Sequence, residues 1–203
     1  MHKKLTVACM AISAWTAFAL TPAASASPVL TESGTAVAVG SSLRGTNTGL
    51  VRITGAIPTE CTDFYLAGTL TENTGTSIRG EIPVSGIHLA GTGESEDCTS
   101  PLGAVAVAVN NKLCWVVPKG TDFLTITGCG ETVTYTLNFT GTGSCKYGAA
   151  EIWGESRTKS DFTVNIFERS AKKVEGGLFC PAEVKLDADL DFNTTDGSTL
   201  LIA

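Results

Sequence analysis

Along TVTYTLNFTG, residues 132–141, every second side chain is apolar: Val133, Tyr135, Leu137 and Phe139. The same period of two runs through LVRITG at 50–55, AVAVAV at 104–109, LTITG at 124–128, DFTVNIFE at 161–168 and VKLDADLDF at 184–192, with TAVAVG at 35–40 as a shorter case. Successive side chains of an extended strand point to opposite faces, so this period buries one face of a sheet and wets the other. Gly, Asn, Ser and Pro separate the runs and supply turns. Apolar stripes at helical spacing are missing. The pattern predicts an all-β chain, an antiparallel β-sandwich or barrel-like fold with little or no helix. ERSAKKVEG at 168–176 is the place where a helical turn fits best.

The first 26 residues follow another pattern. His2, Lys3 and Lys4 make a basic start, an apolar run extends from Leu5 to Leu20, and Ala24-Ser25-Ala26 gives the small-x-small site that a signal peptidase cuts after. The run is short for a membrane span, and no later segment is apolar for long enough to cross a bilayer. Cleavage after Ala26 leaves 177 of the 203 residues as an exported chain.

Export changes how the cysteines read. Cys9 leaves with the signal, and Cys61, Cys98, Cys114, Cys129, Cys145 and Cys180 remain. An even set in an oxidising compartment predicts three disulfides. No two of them stand at the close C-x-x-C spacing of a metal site. The balance of 14 basic against 20 acidic residues falls to 12 against 20 without Lys3 and Lys4. That acidity argues against nucleic acid and anionic membrane surfaces, both of which select a basic footprint.

An echo runs through the mature chain. VRITG at 51–55 precedes Cys61 as LNFTG at 137–141 precedes Cys145, and Cys98 and Cys180 are each followed by a proline and a long alternating strand. The landmarks lie 82 to 86 residues apart, which points to two tandem β units, 27–118 and 119–203, able to pack as one body. Matched spacing pairs Cys61 with Cys98 and Cys145 with Cys180. Cys114 and Cys129 flank WVVPKGTDFLTITG, a strand, a turn at Pro118-Lys119-Gly120 and a strand, and a bridge across that hairpin completes the set.

Catalytic patterns are sparse. In VKLDADLDF the apolar set Val184, Leu186, Ala188, Leu190 and Phe192 faces one way, and Asp187, Asp189 and Asp191 face the other. Aspartates on one strand face stand roughly 6.5–7 Å apart, so two can straddle a Ca²⁺ ion, although a full site needs six to eight oxygens. A solvated sheet face is the ordinary reading of such a ladder, with calcium as the alternative. GESEDC at 93–98 is a second acidic stretch, read as a soluble loop. His88 is the one histidine of the mature chain, sits between inward Ile87 and Leu89, and has no G-x-S-x-G elbow to serve. S-x-x-K occurs at Ser156–Lys159 and Ser170–Lys173 without companion motifs. Trp115 follows Cys114, a position suited to covering a disulfide. Trp153 faces solvent if Ile152 faces inward, which makes it the ligand-contact candidate.

The motifs GTGSCKY, AEIWG and GLFCPAEVKLDADL, with DCTSPLG and LCWVV before them, make most of the mature chain resemble a group of exported all-β proteins of actinobacteria. The resemblance implies export and a β fold and carries no functional residue over. The combined expectation is a secreted binding or structural protein without catalytic activity, with no cofactor unless calcium, whose partner is an extracellular protein or a cell-wall glycan. A secreted glycoside hydrolase using two carboxylates, or a small inhibitor or ligand carrier, is the alternative.

Overall fold

The computed structural model describes residues 30–90, 98–118, 120–156 and 161–202. The signal segment, the acidic loop carrying Glu94, Glu96 and Asp97, and Lys119 and Lys159 lie outside them. The described chain is β-structure throughout, with a single 3-10 turn at Val84–Gly86. In chain order the strands are β1 (Leu30–Glu32), β2 (Thr35–Ala36), β3 (Ser42–Asn47), β4 (Val51–Thr54), β5 (Thr59–Cys61) and β6 (Asp63–Asn73). Next come β7 (Ser77–Ile82), β8 (Ile87–Ala90), β9 (Cys98–Ser100), β10 (Gly103–Val109), β11 (Leu113–Pro118) and β12 (Phe123–Thr127). The last six are β13 (Val133–Phe139), β14 (Gly143–Ala149), β15 (Ile152–Ser156), β16 (Thr163–Gly176), β17 (Glu183–Thr194) and β18 (Leu200–Ile202).

All ladders are antiparallel, and they close into two circuits. One runs β3-β17-β16-β15-β12-β11-β7-β6 and back to β3; the other runs β17-β4-β5-β9-β10-β13-β14-β16 and back to β17. The pair β16–β17 belongs to both. These two strands are long enough, at 14 and 12 residues, for one end of each to serve each circuit. β17 pairs with β4 at Lys185–Asp187 and with β3 at Leu190–Thr194. A small sheet of β18, β1 and β2 stands beside them.

The interior of the first circuit is aromatic. Phe162 stacks on Phe192 at 4.8 Å and meets Trp115 at 6.2 Å. Two of these rings have a glycine directly opposite, Gly80 facing Trp115 and Gly45 facing Phe192. A Cβ on Gly80 would run into the indole, and one on Gly45 would come within 2.6 Å of the phenyl ring. Trp115 is therefore turned inward and does not cover a disulfide. Its neighbour Cys114 lies on the opposite face of β11, as alternation requires.

The second circuit is filled by Val51, Ile53, Val105, Leu137, Phe139 and Tyr147 around two buried disulfides. The bridges are Cys61–Cys98, Cys114–Cys129 and Cys145–Cys180, as the spacings predict. Strands from both sides of residue 118 share the same ladders, because β17 lies between β3 or β4 and β16.

ERSAKKVEG is strand, not helix. It forms the back half of β16, with Arg169 to Lys172 paired to β17 and Lys172 to Gly176 paired to β14. Its Glu, Lys and Arg residues favour helix only weakly, and the ladders on both edges outweigh that preference. Of TAVAVG, only Thr35–Ala36 is strand.

Candidate functional site

The outward face of β12, β15, β16, β17 and β4 gathers most of the candidate residues. Registers set the rows: Phe123 faces Glu155, Glu155 faces Asn165, and Asn165 faces Asp189. In the next row Thr125 faces Trp153, while Asp187 faces Arg52 and Arg52 faces Glu60. Buried Ile152 and Gly154 alternate with Trp153 and Glu155, so Trp153 stands on the solvent side, half-buried. Phe123, 44% exposed, meets its ring edge-on at 5.6 Å. Arg169 lies over the indole with its guanidinium carbon 2.8 Å from the ring centre, and its Nε donates to the Trp153 carbonyl at 2.8 Å. Burial against the sheet lowers the Arg169 pKa from its ordinary value, and the Glu155 carboxylate opposes that shift.

A β-bulge shapes the middle of this face. The β16–β17 register shifts between Ile166 and Arg169, and Glu168 takes a left-handed φ of 48°. The extra residue turns Phe167 outward, where it is 60% exposed. Asp187 accepts the Glu168 amide at 2.6 Å and fixes the bulge, and Lys185 reaches the Glu168 carboxylate at 3.1 Å. A groove of about 260 Å³ runs beside it, lined by Leu50, Arg52, Asn165, Phe167, Asp187 and Asp189 among others. A second concavity of about 310 Å³ is lined by Phe123, Thr125, Glu151 and Trp153.

The aspartate ladder is thus tied into local structure. Asp189 accepts from Asn165 Nδ2 at 2.7 Å, and Asp191 from Asn193 Nδ2 at 3.2 Å. Among the described residues no group of three His, Cys, Asp or Glu side chains is placed to hold a metal.

The other sequence candidates lie apart from this face. His88, with its side chain 37% exposed, stacks on Tyr65 at 4.9 Å and sits 3.4 Å from Asp63, while Arg44 covers the other ring of the stack, Tyr65, at 4.0 Å. No serine or cysteine nucleophile joins it among these contacts. Ser170 donates to Glu183 at 2.6 Å and Lys173 to the Cys180 carbonyl at 3.2 Å, so the extended strand sends the two members of that S-x-x-K different ways.

Phe123, Phe167 and Arg169 are not legible in the sequence, because strand pairing brings Phe123 and Arg169 to Trp153 and the bulge turns Phe167 outward. The signal available was Ile166-Phe167, two apolar neighbours that break an otherwise regular period of two.

An interior feature was also illegible. Where the circuits meet, a cavity of about 60 Å³ is walled by apolar side chains and Tyr135. Tyr135 is 5% exposed, and its buried hydroxyl has no hydrogen-bond partner. Burial, reinforced by neighbouring Tyr147, pushes its phenol pKa far above the ordinary value of 10.0.

No protein-family model matches the chain, and neither a curated protein nor a solved structure matches it.

Proposed function

We propose that this chain is a secreted, non-catalytic binding module that holds an extracellular glycan on the face carrying Trp153. One observation carries the reading: Phe123, Trp153 and Phe167 stand on the solvent side of one sheet among Arg, Asn and carboxylate side chains. Exposed rings offer apolar platforms for the C–H faces of sugars, and soluble proteins seldom leave several on one surface without use. Carboxylates supply acceptors and Arg and Asn supply donors, so the same face can bond hydroxyls of both senses. Three disulfides suit the oxidising compartment that export implies, and among the described residues no helix is long and apolar enough to cross a membrane.

The test is retention of the purified mature protein on isolated cell walls and insoluble polysaccharides at low and at high salt. Retention that survives high salt and falls at least tenfold in Trp153→Ala supports the reading. An unretained protein at either salt, or equal retention of the variant, sinks it.

A further inference from the structure

Trp153 has a carboxylate on either side of it in the chain, Glu151 at the entry to β15 and Glu155 further along the strand. The two are not equivalent. Arg169 reaches the indole from β16, and the Glu155 carboxylate acts on that guanidinium, opposing the fall in its pKa. Glu151 is exposed, lies against the rings, and has no hydrogen-bond or ion-pair partner among the described residues.

Phe123 and Thr125 reach Trp153 from the other neighbouring strand, β12. Phe123 meets the ring edge-on, and Thr125 faces Trp153 across the ladder. With Glu151 these residues line the concavity of about 310 Å³. Among the described residues neither Arg169 nor any other basic side chain lines it. The guanidinium covers the indole from the β16 side and, through its bond to the Trp153 carbonyl, is fixed there. The β12 side is left to a ligand, which meets two aromatic rings, a hydroxyl and a carboxylate that only accepts.

That set selects by charge as well as by shape. The negative faces of the rings attract cations. A carboxylate accepts from an ammonium, which brings three donors, and repels a uronate or a phosphate. Around the indole two carboxylates, Glu151 and Glu155, stand against one guanidinium, Arg169, so one ammonium brings the site to neutrality. At an exposed site neither the ring contact nor the ion pair is strong alone, and together they shift affinity by roughly tenfold. Resting on the glycan reading of this face, we infer that the concavity beside Trp153 is an amine subsite, which takes the protonated, unacetylated amine of an amino sugar.

The probes are two β-1,4-linked trimers with the same backbone, one of glucosamine with free amines and one of N-acetylglucosamine. The isotope-labelled mature protein is titrated with each at physiological ionic strength. The indole N–H resonance of Trp153 is followed, with that of buried Trp115 as the reference. The glucosamine trimer should bind roughly tenfold more tightly than its acetylated counterpart. Glu151→Gln should bring the two affinities together. Glu175→Gln, an equal loss of charge at the far end of β16, should leave the difference intact. Equal binding of the two trimers at Trp153 overturns the amine subsite and leaves the glycan face standing. A difference that survives in Glu151→Gln, or that Glu175→Gln also removes, overturns it too. So does binding of Nα-acetyl-lysine amide as tightly as the glucosamine trimer, since the site would then read an amine without its sugar. If neither trimer moves the Trp153 resonance the amine subsite fails, and retention on cell walls judges the glycan face by itself.

Discussion

Trp115 and Gly80 face one another across the β7–β11 ladder, and the indole occupies the volume that a side chain on Gly80 would fill. The same arrangement holds between Phe192 and Gly45. The two glycines make room for the ring cluster that fills the first circuit, and the rings in turn cover backbone that would otherwise lie bare.

Gly80→Ala and Gly45→Ala should each lower stability by about 1–3 kcal/mol, the usual cost of overpacking a filled core. Urea unfolding of the oxidised protein measures this. A loss under about 0.5 kcal/mol, within the range of ordinary surface changes, would mean that the rings slide aside at little cost.

The bulge at Glu168 makes opposite predictions for two substitutions. A left-handed φ strains a residue that carries a Cβ, so Glu168→Gly should stabilise by a few tenths to about 1 kcal/mol despite losing its exposed ion pair with Lys185. Asp187→Ala should destabilise by about 1–2 kcal/mol, because the Glu168 amide then loses its acceptor. Equal and opposite effects in chemical denaturation are not required, but matching signs would contradict this account.

Alkaline titration should weaken the fold through Tyr135 and Tyr147. Burial raises both phenol pKa values in the folded state, so above pH 10 the unfolded chain gives up protons that the folded chain retains. Stability is then fully present below the ordinary phenol value and falls as pH rises beyond it. Tyr135→Phe should flatten that fall, and it should cost little at pH 7 because no hydrogen bond is lost. Stability curves for the two proteins between pH 7 and 11.5 provide the check; coincident slopes above pH 10 would refute it.

The three disulfides should open in order. Cys61, Cys98, Cys145 and Cys180 are buried, while Cys114 and Cys129 are half-exposed at the end of their hairpin. Mild dithiothreitol followed by alkylation and mass mapping should therefore label Cys114 and Cys129 first. Replacing that pair by alanine closes off a 15-residue loop constraint and should cost about 3 kcal/mol in the chain-entropy account.

Legibility in the sequence followed the regularity of each strand. Val133, Tyr135, Leu137 and Phe139 alternate without a break, and β13 lies where they predict it. β6 was missed: Gly68, Thr69 and Thr71 dilute its pattern, and its register with β7 slips between Leu70 and Glu72. β7 was missed for a related reason, since Gly80 lacks a side chain in favour of Trp115, which is distant in sequence. Trp153 was legible because Ile152 beside it had to face inward. The company it keeps was not, because Arg169 reaches it only through the bulge and Phe123 only through a neighbouring strand. The cavity left no sequence signal at all: each of its walls is an ordinary inward residue, and emptiness belongs to their arrangement.

Because β16 and β17 form one seam for both circuits, the molecule should melt and exchange hydrogen as a single cooperative unit, with the slowest amides along Val164–Ile166 and Ala188–Leu190. A fragment ending near residue 118 would carry β3, β4 and β6 but neither strand that closes them. Such a piece is half a zip, and a host protease that severed the seam would disable both circuits with one cut.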